Sequence, residues 1–207
     1  MEAQVVYNKE SLLDMDQNFR RELINTISGY KSANLISTEN KAKIKNLAIF
    51  NSVVHIGANP PLLGFIMRPL TVPRHTYQNI KETGCFTINH VHKGIIKEAH
   101  QTSAKYFETD SEFEKCGFTP YYYKNFKAPF VKESRISLGL VFREELQIKS
   151  NDTLLIIGEI VHIFIDKASY ISDKGTVNLQ EAETVSISGL DKYYEPNFLA
   201  NLDRARP

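Results

Sequence analysis

The chain is poor in cysteine: Cys85 and Cys116 are its only two, they stand far apart, and they form no Cys-x-x-Cys pair. That argues against a thiol metal centre or a redox dithiol and leaves buried free thiols as the expectation. No run of Lys or Arg stands out, the formal net charge is +1, and no zinc-finger or RNA-binding aromatic motif occurs. Nucleic acid is therefore not an expected partner. The opening MEAQVVYNKE lacks the basic and apolar regions of a signal peptide. The most apolar long stretch, Leu154–Ile165, contains Glu159 and His162 and is too short to span a bilayer. A cytoplasmic protein without membrane contact is the expectation. No His, Cys and carboxylate grouping has metal-ligand spacing, so no metal is expected. Repeats, low-complexity tracts and linkers are also missing. The 207 residues suit a single domain over 1–207, with 1–30 as an N-terminal helix and 190–207 as a tail.

Hydrophobic residues make up 42% and charged residues 24%, as in ordinary globular proteins. Leu12, Met15, Phe19, Leu23 and Ile27 recur at helical spacing and predict a helix over about 9–28. Ser11 with Asp14 offers a capping box, and Gly29 a stop. Segments rich in Val, Ile, Phe and Thr then predict strands at Ala33–Thr38, Leu47–Gly57, Leu62–Arg68, Cys85–Val91, Phe130–Lys149, Thr153–Ile165 and Thr184–Ser188. Pro60-Pro61 cannot lie in a central strand and must separate two of them. Short helices are expected at Thr76–Glu82, Lys93–Ala104 and Ser111–Lys115, with Gly117 ending the last. Many antiparallel strands with few helices imply a mainly β fold, a closed or nearly closed barrel with peripheral helices.

The stretch Arg68–Asn89, RPLTVPRHTYQNIKETGCFTIN, reads as strand, basic turn, short helix, Gly, strand. Arg74, His75 and Thr76 fall where the helix would begin, at the positive end of its dipole and beside free N–H groups. A guanidinium, an imidazole and a hydroxyl there suit a phosphate, although Thr is also an ordinary helix cap.

Further motifs carry a resemblance. NLAIFNSVVHIGANPPL at Asn46–Leu62 has Asn46, Ala48, Ser52, Ile56, Pro60 and Pro61 in register with the flavin reductase-like family of FMN-binding split barrels. Phe19–Thr38 resembles that family's opening helix and first strand. Arg68–Asn89 resembles its Ser/Asp-x-Thr-x-x-Asn-Ile and Gly-x-Phe-x-Val-Asn segments. SEFEKCGFTP at Ser111–Pro120 resembles Glu-Phe-x-x-x-Gly-Leu-Thr, and IIGEIVHI at Ile156–Ile163 resembles the Ile-Gly-Glu-Val strand.

The resemblance implies an antiparallel split β-barrel that binds FMN at a homodimer interface. It implies that Arg74, His75, Thr76 and the helix N–H groups take the phosphate, and that Asn79 serves the ribityl chain or the phosphate. Ser37 and Thr38 would add phosphate or ribityl contacts, or are simply strand-end hydroxyls. Asn46, Leu47, Ala48, Asn51 and Ser52 would line the ring edge through backbone amides and short side chains. Arg68 is either a ligand residue or a surface charge. The family usually carries Gly-Asp-His ahead of its Ile-Gly-Glu-Val strand, the His being associated with nicotinamide. Here the residues are Asn151, Asp152 and Thr153. Ile49 and Asn51 also depart from the usual flavin turn, and His75 from the residue usual before Thr76. Two functions stay open: an NAD(P)H-dependent flavin reductase, or an FMN-binding electron-transfer protein that passes electrons to a partner protein without oxidising NAD(P)H. No residue is singled out as catalytic.

Overall fold

Two capping side chains decide how the chain begins. The computed structural model describes residues 4–107 and 109–206, and in it the helix expected over 9–28 is two helices, α1 (Lys9–Asp14) and α2 (Gln17–Ile27). Asn8 caps α1 by accepting from the Ser11 N–H at 2.8 Å, in place of the expected Ser11–Asp14 box. Asp16 then accepts from the N–H groups of Asn18 and Phe19, both at 3.0 Å, and starts α2 afresh. A carboxylate that bonds forward to free N–H groups is worth more as a cap than as a mid-helix residue. Neither helix buries a residue in the single chain.

The short β1 (Lys31–Ser32) leads into the main strands: β2 (Asn34–Glu39), β3 (Lys45–Phe50), β4 (Val53–Ala58) and β5 (Pro61–Met67). Helix α3 (His75–Thr83) and strand β6 (Cys85–His90) follow, then α4 (Ile96–Gln101), α5 (Glu112–Lys115), β7 (Pro120–Tyr121) and β8 (Phe130–Val131). The long hairpin β9 (Ile136–Ile148) and β10 (Thr153–Ile165) precedes β11 (Ser186–Ser188) and β12 (Lys192–Tyr194). Thr153–Ile165 is the strand as expected. The expected Leu47–Gly57 strand is cut at Asn51-Ser52, and Phe130–Lys149 is cut between β8 and β9. The expected Lys93–Ala104 helix is a 3₁₀ turn at Lys93–Ile95 followed by α4. His92 makes that turn by accepting from Gly94 N–H at 3.1 Å.

The seven-stranded sheet has the order β3-β2-β6-β9-β10-β5-β4, with antiparallel neighbours throughout. Its two outermost strands, β3 and β4, are consecutive in the chain. Only Asn51 and Ser52 join them, so the sheet must curl until its ends meet. Ser52 holds the join by accepting from Ile66 N–H at 3.2 Å and donating to Ile66 C=O at 3.1 Å. Inside the curl, Ile36, Phe65, Phe86, Leu140 and Ile156 are fully buried. A second core lies on the other face of β2 and β3, where Leu35 and Leu47 meet Val91, Phe113, Val185 and Ile187. Each such side chain contributes about 1.5–3 kcal/mol by leaving water. Both cysteines are buried and free. No helix among the described residues is long and apolar enough to cross a membrane.

Close packing inside the curl depends on Gly158, beside a bulge in β10. A Cβ added there would meet the Phe86 ring at 2.6 Å and Leu140 Cβ at 3.1 Å. Gly158→Ala is expected to destabilise the fold by about 1–3 kcal/mol through overpacking. Thermal or urea unfolding measures it, and an unchanged midpoint would contradict this packing.

Candidate functional site

Helix α3 lies against the curled sheet with Thr76, Asn79 and Ile80 buried, and Ile80 reaches the interior core. Gly84 ends it in the left-handed region at φ 73°, which costs glycine nothing. Two hydrogen bonds fix its start to the sheet. Asn79 Nδ2 donates to Thr38 Oγ1 at 3.0 Å, and Asn46 Nδ2 donates to Thr76 Oγ1 at 2.9 Å. Among the described residues no side chain caps the N-terminus, and its first turn holds no acidic residue. Free N–H groups and the positive end of the dipole gather there, an arrangement that favours anions in general.

That helix start opens on a groove of about 920 Å³, at the upper end of the range for ligand pockets. Along its floor run Asn46, Ala48 and Phe50 of β3, then the Asn51-Ser52 join. Arg68, Arg74, His75 and Thr76 also line it. His100, Lys105, Tyr106 and Asp191 are further lining residues. Asn51 Nδ2 donates to Gly189 C=O at 2.7 Å. The Arg74 guanidinium folds back toward Pro69 C=O at 3.4 and 3.5 Å. The groove lining thus includes the cations Arg68, Arg74 and Lys105 and the carboxylates Glu112 and Asp191.

The chain matches the model of the flavin reductase like domain over residues 30–176, well over half its length. It belongs to that family. A protein from Shewanella frigidimarina NCIMB 400, described as a candidate flavin reductase with a split barrel domain, is 46% identical, with a TM-score of 0.93 over 98% of this chain and 100% of that one. Nitrilotriacetate monooxygenase component B from Bacillus cereus shares the fold at 20% identity, with a TM-score of 0.83 over 98% of this chain and 100% of its own. Flavoredoxin of Desulfovibrio vulgaris (Miyazaki F) does so at 22% identity, with a TM-score of 0.72 over 83% of this chain and 90% of its own. The mainly β split barrel expected from the sequence is the observed fold.

Within this flavin reductase-like chain, Asn46, Ala48, Asn51, Ser52, Arg68, Arg74, His75 and Thr76 all line the groove. Ser37, Thr38, Leu47 and Asn79 do not. Ser37 is fully buried, its hydroxyl unpartnered, on the same face of β2 as Leu35. Thr38 and Asn79 are spent on one another. The Leu47 side chain points into the second core, and its N–H donates to Glu112 Oε2 at 2.9 Å. Of the histidines, His75 and His100 reach the groove. His55 is exposed on β4, and Thr153 donates to Asn151 Oδ1 at the turn between β9 and β10. Sequence reasoning missed Glu112, although the Glu-Phe motif contained it, and it missed His100, Lys105 and Tyr106, which carry no motif.

Burial pushes the Glu112 carboxyl above its ordinary range, against the opposing pull of the Leu47 N–H, its own N–H and His75. A raised folded-state pKa means that stability is fully present below the unfolded pKa and is lost as pH rises through the folded one. Glu112→Gln keeps an acceptor for Leu47 and removes the charge, so it should be at least as stable as wild type near pH 7. Glu112→Ala strands the Leu47 N–H and should cost about 1–3 kcal/mol. Unfolding curves from pH 4 to 8 test both; a Gln variant that loses as much as the Ala variant would contradict the assignment.

Proposed function

We propose that the groove binds FMN and that the protein is an NAD(P)H-dependent flavin reductase. The observation that carries this reading is the uncapped start of α3 opening, beside Arg74 and Thr76, onto a groove floored by an edge strand. The residues fit the group. A doubly charged phosphate suits free helix N–H groups, a guanidinium and a hydroxyl. The groove runs along β3 from Asn46 to the Asn51-Ser52 join, a span of about 17–20 Å for six residues, which gives a long ligand a charged end and a ring end. The N–H of Leu47 points away from β2, and by the two-residue period so does that of Ile49. An edge N–H there suits the acceptor edge of the flavin ring, with Asn51 and Ser52 fixing the turn through their own bonds rather than touching the ring.

Bound FMN would supply the redox chemistry, taking a hydride from nicotinamide. The protein's part is position and field: Arg74, Thr76 and the helix start hold the phosphate end, the edge of β3 holds the ring, and Arg68 and Lys105 favour anionic ligands. A second reading, an electron carrier that does not oxidise NAD(P)H, is favoured by Thr153 standing where the family usually has His. Homodimerisation accompanies either reading. Val54, Ile56 and Leu146 leave an exposed apolar surface on the outer face of the sheet, beside Gly64 and Leu155, and a second copy would cover it.

Purified protein should be yellow or take up FMN, and the flavin should bleach on anaerobic addition of NADH or NADPH. Bleaching only with a chemical reductant selects the electron carrier, and failure to take up FMN rejects both. Arg74→Ala should weaken FMN about ten- to a hundredfold, as loss of a charge-assisted bond does. Leu146→Glu should convert a dimer to monomer in sedimentation; a monomeric wild type would contradict the interface.

A further inference from the structure

The family resemblance gives Asn46 to the flavin ring and Thr76 to the phosphate, yet the two side chains are hydrogen-bonded to each other at 2.9 Å. In FMN a five-carbon ribityl chain separates those two ends, so side chains in contact serve the same end. Thr76 belongs to the first turn of α3, which places Asn46 with the phosphate. Ala48 is the next residue on that face of β3, roughly 7 Å further along.

The direction of the bond matters. Asn46 Nδ2 donates and Thr76 Oγ1 accepts. A hydroxyl has one proton to give, and accepting a bond from an amide turns that proton away from the amide. Among the described residues Thr76 Oγ1 donates to no protein group, and both Thr76 and Asn46 are nearly buried at 5% and 7% exposure while lining the groove. We propose that Asn46 is a positioning residue that acts through Thr76: it fixes the hydroxyl so that its proton faces the bound phosphate. This rests on the FMN reading and reassigns one residue within it. A second pair of the same chemistry, Asn79 with Thr38, sets the contrast. It is bonded at 3.0 Å but Thr38 is fully buried and off the groove, so that pair anchors the helix only.

The test is a double-mutant cycle on the full-length protein, with Asn46→Leu, Thr76→Val and the double variant, each titrated with FMN and with riboflavin, which lacks the phosphate. Thr76→Val should weaken FMN about ten- to a hundredfold, as loss of a bond to a charged group does, and leave riboflavin unchanged. Asn46→Leu should weaken FMN about three- to tenfold, leave riboflavin unchanged, and have no effect in the Thr76→Val background. Asn46→Ser, smaller and still able to donate, should fold if the Leu variant does not and should lose less than threefold. Asn79→Leu should lower the unfolding midpoint and shift FMN and riboflavin equally. Equal losses of FMN and riboflavin at residue 46, or a loss that persists without the Thr76 hydroxyl, would overturn the relay and return Asn46 to the ring. Wild type that binds neither flavin would overturn the FMN reading itself.

Discussion

Everything at the site depends on how α3 is seated. Ile80 and the Asn79–Thr38 and Asn46–Thr76 bonds press one short helix against the end of β2 and β3. A helix of nine residues has little stability of its own and takes this pose only because the sheet holds it. The seat leaves the N-terminal N–H groups uncapped beside the groove, where a stable isolated helix would have recruited a cap.

The sheet contributes a second unsatisfied element. β3 is an edge strand whose outward N–H groups alternate with those bonded to β2. Such an edge invites pairing with another chain unless something covers it. Glu112 covers the Leu47 position, the Asn51–Gly189 bond covers the join, and the groove lies over the stretch between. The helix end and the strand edge together supply the backbone donors on which the proposed FMN site rests.

Much of this was legible in the sequence because it depends on local pattern. Gly84 after a short helix, Arg74-His75-Thr76 at its start, and the β-branched, apolar run of β10 are read within a few residues. What was not legible depends on long-range partners. The bond from Asn79 to Thr38 joins residues far apart in the chain, and only the approach of β2 to α3 reveals it. The break of the first helix at Asp16 and the cut of the Leu47–Gly57 strand were misread because apolar periodicity runs across both. A cap in one case and a curl in the other override it. His100, Lys105 and Tyr106 reach the groove from a segment with no motif, so no sequence signal pointed to them.

The most direct measurement is a crystal structure of the protein grown with FMN. The account predicts the phosphate at the start of α3, within hydrogen-bond reach of Thr76 and its neighbouring N–H groups, with the ring along β3 toward Asn51. A phosphate held away from α3, or a flavin reversed in the groove, would contradict it.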